Sequence, residues 1–290
     1  MGQPTTDIEN HPLIRRQLRQ RAAGLLAMHV ADPRSAGIFA THQRWLLAHI
    51  ALAAHFESAL AGGPAGMYAS TVAAKAVAEG VSSRNTAESF LREMVRYGFV
   101  DSAPSERDRR ILWLKISPFA IASVAGWLAA NLATLDALDG GERAAEFLAN
   151  PAMLGRVESV AARGFLSSPA IRRPGPTFML FTAVDEGGAV MDRLYATHGD
   201  VPDANGHYVT GIASLGDFGD HLRLSRSHLT RKLRAAESLG SLGWEGERGK
   251  SRIWVSEGFL REYVERQAAE LSSIETGYQR ALAQSPVGGR

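Results

Sequence analysis

The chain contains no cysteine. That excludes a disulfide frame, a thiolate nucleophile, a Cys-ligated zinc site and a thiol redox switch. It suits a reducing compartment, and the cytoplasm is the expected location. Charge of one sign is also scarce: 32 Lys+Arg stand against 30 Asp+Glu, a formal net charge of +2. Residues 1–140 hold 14 basic and 12 acidic side chains, and residues 141–290 hold 18 of each. Neither half is polybasic, so any nucleic-acid surface has to be a local patch. The most apolar stretch, Trp45 to Phe56, carries His49 and His55. It is too short to span a bilayer and reads as a buried helix. The N-terminal residues lack the basic-then-apolar layout of a secretory signal. Met1-Gly2 with Thr6 fits a myristoylation pattern only formally, because so short a pattern arises by chance.

With 290 residues, 45% of them hydrophobic, the chain is long enough for about two domains with sizeable cores. Compared with itself, the sequence repeats once at an offset near 140. Gly66-Met67-Tyr68 returns as Gly206-His207-Tyr208, and Ser83-Arg84 with Leu91-Arg92 as Ser225-Arg226 with Leu233-Arg234. Gly98 matches Gly240. Glu106-Arg107 and Trp113 match Glu247-Arg248 and Trp254, and Phe119 and Val124 match Phe259 and Val264. The order never changes, and an ordered series of this kind marks a duplicated unit. Helical patterns open each copy, over 11–30 and 36–61, then over 152–166 and 176–198. Gly62-Gly63-Pro64 and the stretch Gly199 to Gly206 punctuate them. Short helices, a charged hairpin and a closing helix follow, the last over 118–137 and 257–283. Asp139-Gly140-Gly141 sets the expected boundary between a unit at 1–140 and a unit at 141–290.

The segment from Val81 to Pro118 carries the chemistry. Ser83 is a good N-cap, since its hydroxyl can accept an orphan backbone N–H. Ala87, Phe90, Leu91, Met94 and Val95 recur at helical spacing, while Arg84, Asn85, Glu88 and Arg92 fall mainly on another face. Gly98 suits a left-handed helix stop. Two extended runs then flank a charged turn carrying Arg107, Asp108, Arg109 and Arg110. Capped helix, glycine, strand, charged loop and strand make a helix-turn-helix with a wing. Such a helix can present hydrogen-bonding groups to base edges in the major groove, and the arginine tip can reach phosphates or the minor groove. The bland alternative is an amphipathic helix beside a solvated hairpin.

The second copy favours DNA. From His221 to Arg234 there are Arg223, Arg226, Arg231, Lys232 and Arg234, and no acid. Ser225 is the expected cap, Ser227 and His228 add donors, and the following hairpin carries Arg248, Lys250 and Arg252. A solvated helical face normally mixes both signs of charge. Arg231 and Lys232 are expected at phosphates, and Ser225 to His228 nearer base edges.

These residues resemble the MarR group of bacterial regulators. The resemblance rests on Ser83-Arg84-Asn85-Thr86 through Gly98, on Asp108-Arg109-Arg110, and on Leu114-Lys115-Ile116-Ser117-Pro118. It implies a unit of about 140 residues that dimerises through its terminal helices. This chain resembles two such units fused, a monomer acting as a pseudo-dimer. The implied fold is mainly α with small β-wings, as tandem winged helix-turn-helix repeats related by a pseudo-two-fold axis. The implied function is sequence-specific binding of double-stranded DNA in transcription control, as a repressor, with a small aromatic effector as a further partner. By the same resemblance Asp108 would brace Arg110 for the minor groove. The second copy departs from the pattern: Gly249 stands at the wing Asp position, and Ser256-Glu257-Gly258 replaces the Ser-Pro ending.

Other signals read as structural. His42 and His49, two turns apart on one helix, read as packed or capping groups. Asp203, Asn205 and Gly206 suggest part of a calcium loop, but the terminal Glu is missing and a tight turn is expected. Trp45, Phe56, Trp127, Phe178 and Phe181 read as core before ligand box. No phosphate loop, nucleophile elbow or metal-binding helix motif is present, so no enzyme, metal or cofactor is expected. The alternatives to a regulator are a tandem winged-helix replication initiator and a protein–protein adaptor.

Overall fold

The computed structural model describes residues 3–31, 41–105, 111–183, 187–222 and 226–284, with backbone alone at 219–222, 226 and 228. The protein is mainly helical, with two small antiparallel sheets. It falls into two compact units. The first comprises residues 1–8, 43–168 and 269–290, and the second 9–42 and 169–268. Neither coincides with the sequential halves 1–140 and 141–290 read from the sequence. The physical reason is that the helix over 14–31 packs on the second copy's helix over 187–197, while residues 143–167 and the last part of the closing helix group with the first copy, so the units interleave along the chain.

In the first unit, α1 (Thr5–Glu9) precedes α3 (His42–Leu60), β1 (Met67–Tyr68), α4 (Ala69–Ala78), α5 (Arg84–Arg96), β2 (Val100–Pro104), β3 (Leu112–Ile116), α6 (Pro118–Asp139), α7 (Arg143–Ala149) and α8 (Met153–Ser167). The second unit contains α2 (Ile14–Ala31), α9 (Pro169–Arg172), α10 (Pro176–Thr182), α11 (Gly187–Thr197), β4 (His207–Val209), α12 (Leu215–Leu222), α13 (Arg226–Ser238), β5 (Leu242–Trp244) and β6 (Ile253–Ser256). The boundary falls within α14 (Glu257–Ala283), after residue 268. The expected helix over 176–198 is two helices, α10 and α11, and residues 36–40 of another lie outside the described set.

The two sheets share one plan. Strand order is β1-β3-β2 in one and β4-β6-β5 in the other, each preceded by two helices between its first and second strands. The repeated glycines occupy the same turn. Gly98 has φ 76° and donates its N–H to Val95, with Phe99 donating to Met94. Gly240 has φ 68° and donates to Glu237, with Ser241 donating to Ala236. This left-handed turn ends a helix without the penalty a Cβ would carry. Strand registers differ by one: Tyr68 faces Trp113, whereas Tyr208 faces Val255.

Both closing helices start from a serine cap. Ser117 Oγ accepts the Ala120 N–H at 3.3 Å, and Ser256 Oγ accepts that of Phe259 at 3.2 Å. Loss of the Ser-Pro ending in the second copy therefore leaves the cap in place. The first core draws Leu47 and Ile50 from α3, Ala87 and Leu91 from α5, and Leu128, Leu132 and Leu135 from α6. Each large apolar side chain removed from water contributes roughly 1.5–3 kcal/mol. Among the described residues α6, rather than Trp45–Phe56, is long and apolar enough to cross a membrane by length and composition. About 33% of that apolar stretch is buried, with Leu128, Leu132 and Leu135 in the core.

Candidate nucleic-acid interface

In the first unit the residues expected to face DNA from Ser83 to Arg92 lie along α5 and its cap. Ser83 caps the helix, accepting the Thr86 N–H at 3.2 Å. Ala87, Phe90, Leu91 and Met94 are buried, so the apolar stripe faces inward. Arg84, Asn85 and Arg92 are exposed and Glu88 is half-buried. Arg84 and Glu88 approach to 3.8 Å one turn apart. At that distance and exposure the pair is worth at most about 0.5 kcal/mol, so Arg84 can leave it for another anion at little cost. The strands β2 and β3 run out to Ser105 and Ile111, joined by the Ser105 N–H to the Ile111 carbonyl at 2.8 Å. Arg107, Asp108, Arg109 and Arg110, with the Asp108 brace, lie outside the described residues.

In the second unit the surface is less basic than its sequence. Arg231 and Arg234 are exposed on α13, as is Ser227. Ser225 and Arg223 lie outside the described residues, as do the side chains of Arg226 and His228. Lys232 departs from the expected phosphate contact. It is only 9% exposed, and its ammonium donates to the carbonyls of Leu180 and Phe181 at the end of α10. Burial pushes its pKa below the ordinary lysine value, and neighbouring Arg231 adds to that. The last-turn carbonyls of a helix lack intrahelical partners and carry its negative end, which explains why a buried cation is held there.

The hairpin cations Arg248, Lys250 and Arg252 are exposed, as expected, but each sits on a carboxylate. Arg248 meets Glu237 at 2.6 Å, Lys250 meets Glu247 at 2.7 Å and Arg252 meets Glu245 at 2.6 Å. Glu237 lies on α13, so Arg248 also fixes the hairpin to the helix. Gly249, at the wing Asp position, has φ 80° and its carbonyl accepts the Leu215 N–H. Any L residue would be strained there.

The remaining signals resolve into packing. Asp203 Oδ1 accepts the N–H groups of Asn205 and His207 at 2.8 and 2.9 Å, a tight turn with Gly206 at φ 80°. Among the described residues no group of three or more potential ligands could hold a metal ion. The five aromatics do not form one box. Trp45 and Trp127 surround His49 in the first unit, whereas Phe178 and Phe181 belong to the core of the second. Phe165 completes the ring around His49 and Glu158 binds it; the sequence reading found neither, because both come from α8, over a hundred residues away.

Comparison with protein-family profiles, with curated proteins and with solved structures finds no match.

Proposed function

We propose that this protein is a sequence-specific double-stranded DNA-binding regulator of transcription, a repressor built from two winged helix-turn-helix units of MarR-like plan. One observation carries the reading. A helix pair and a three-stranded sheet of the same strand order occur twice, and in each the second helix buries one face and leaves cations and small polar groups on the other. A helix of 13 residues is about 20 Å long and of a width that a major groove of about 12 Å admits. Ser83, Arg84 and Asn85 stand at its N-terminal end, the end such helices present to base edges. The hairpin behind the second helix carries Arg248 and Arg252, and the sequence puts Arg107, Arg109 and Arg110 after the first; arginines of this kind can meet phosphates or the minor groove. A small aromatic effector and a cytoplasmic location belong to the same proposal, carried by the resemblance and by the absence of cysteine.

The test is selection of bound sequences from a random DNA pool, followed by affinity measurement across a salt series. A regulator binds the selected DNA about 10³-fold or more tighter than random DNA, with affinity falling steeply as salt rises. No binding at low salt overturns the reading. Specific observations also favour a second one: the hairpin cations of the second unit are already matched by acids, which suits a protein-binding surface. An adaptor of that kind would give no DNA complex in the same assay.

A further inference from the structure

The recognition-helix candidate of the second unit is tied at several points to a single short element. Lys232, midway along α13, donates to the carbonyls of Leu180 and Phe181 on α10. Just beyond the end of α13, Ser241 Oγ lies 2.7 Å from Thr177 Oγ1, at the start of α10. The start of α10 is also anchored by α14: the Glu262 carboxylate accepts the Thr177 and Phe178 N–H groups at 2.9 and 3.1 Å. The Phe181 carbonyl is confined from a second direction. A Cβ on Gly187, the first residue of α11, would lie 1.5 Å from that oxygen. Helix α12 is held in turn by α11: Arg193 donates to the Asp217 carbonyl at 3.1 Å and lies over the Phe218 ring. Beyond these ties, α11 packs along α2, and Arg19 of α2 meets Asp200 at 2.6 Å.

We infer that the α10–α11 pair is a lever that sets the seat of α12 and α13, with Lys232 and Arg193 as positioning residues that do not themselves touch DNA. This rests on the proposed DNA-binding reading. Packing alone does not require a lysine at this place. By the repeat offset of 142 the equivalent residue of the first unit is Phe90, a buried apolar side chain. There the tie has the opposite polarity. The cation comes from a helix ahead of the first strand: Arg44 of α3 lies 5.5 Å over the Phe90 ring and meets Glu93 at 2.9 Å. Both units thus join the recognition-helix candidate to a helix ahead of the first strand by one cation at one position. In the second unit that cation leaves the surface to do so. An ammonium bound to two carbonyls is directional, so a shift of α10 carries α13 with it, whereas an apolar contact would let the two slide.

The experiment compares Lys232→Met, which keeps the stem and removes the ammonium, with wild type on the full chain. Stoichiometric titration first fixes the DNA-active fraction, so that partial unfolding is not mistaken for weak binding. The expected result is a fall in the ratio of specific to random binding by about tenfold, the size of one base pair's discrimination. The slope of log affinity against log salt stays unchanged. A slope smaller by about 0.9 would mean that Lys232 meets a phosphate, and overturns the inference. An unchanged ratio overturns it too. Amide hydrogen exchange without DNA gives a second readout: α13 should exchange faster in Lys232→Met while α5 does not change. If wild type binds no DNA, the functional reading fails, and this exchange result alone decides whether the lever exists. If Lys232→Met does not fold, Arg193→Gln is measured in its place, with α12 as the segment expected to loosen and unchanged exchange there as the overturning result.

Discussion

Glu158 Oε1 lies 2.6 Å from His49 Nδ1, joining α8 to α3 across 109 residues of sequence. Both side chains are buried, and Trp45, Phe165 and Trp127 surround the imidazole with ring centroids 4.4, 4.8 and 5.3 Å away. Glu158 Oε2 has no hydrogen-bond partner among the described residues. Removing one member of a buried pair leaves the other polar group stranded, at roughly 3–5 kcal/mol, whereas replacing both by apolar groups is often close to neutral. His49→Ala and Glu158→Ala should each lower stability by about that amount. The joint change His49→Phe with Glu158→Leu should recover most of it. Urea unfolding of the three variants checks this, and losses that simply add would show the two residues to be independent.

The Ser83 cap permits stability and DNA binding to be separated. Ser83→Ala removes the acceptor for the Thr86 N–H and should cost about 1 kcal/mol. Ser83→Asp keeps a good capping group and adds a charge that suits a helix N-terminus, so stability should hold within about 0.5 kcal/mol. The same aspartate would stand at the edge of the proposed DNA surface and repel phosphates. Gel shifts should therefore rank wild type above Ser83→Ala, and Ser83→Asp last. An aspartate variant that binds as well as wild type would place the start of α5 away from DNA.

His55 supplies a pH dependence. Its Nδ1 accepts the Ile116 N–H of β3 at 3.2 Å, so the ring proton must sit on Nε2. Burial lowers its pKa, and the nearby Lys115 charge lowers it further. For a histidine with a depressed folded pKa, the two states bind protons alike well above the unfolded value of about 6.5. Stability is then lost as pH falls below that value, because the unfolded chain takes up the proton first. Protonation would also remove the acceptor from β3. Histidine NMR should show the Nε2–H tautomer at neutral pH and a titration midpoint under about 6.5. His55→Gln should flatten the acid limb of the stability profile below about pH 6.5, and an unaltered limb would assign it to another group.

Features set by a few neighbouring residues were legible in the sequence. The Ser83 cap, the turns at Gly98 and Gly240, and the inward stripe Ala87, Phe90, Leu91 and Met94 depend on local backbone and side-chain spacing alone. The direction of Lys232 was not legible. A lysine in a basic run reads as solvated, and its stem is long enough to turn inward when a helix end 52 residues away offers carbonyls. The same holds for His49, whose partner stands 109 residues away. The matched charges of the second hairpin were within reach: Glu237, Glu245 and Glu247 follow directly on the acid-free run that ends at Arg234. The interleaving of the units was not, because periodicity shows which face of a helix is apolar and not which copy will cover it.

Those three acids lead to the last prediction. Arg248, Lys250 and Arg252 are each matched by a glutamate while exposed, and exposed pairs are worth about 0–1 kcal/mol apiece. The pairs therefore contribute little to folding, yet they cancel much of the hairpin's field. If the hairpin approaches DNA, each acid weakens its attraction to any phosphate, whatever the sequence. Glu237→Gln, Glu245→Gln and Glu247→Gln together should lower the unfolding free energy by no more than about 3 kcal/mol, about 0–1 kcal/mol for each pair lost. Random DNA should bind tighter, and the salt slope should steepen by up to about 0.9 for each cation newly delivered to a phosphate. Specific binding gains less, because its base contacts are unchanged, so the ratio of specific to random affinity should fall. The acids then act as a filter against non-specific association. Measured at fixed salt on selected and random DNA, an unchanged slope in the triple variant would show that the second hairpin stays clear of the duplex.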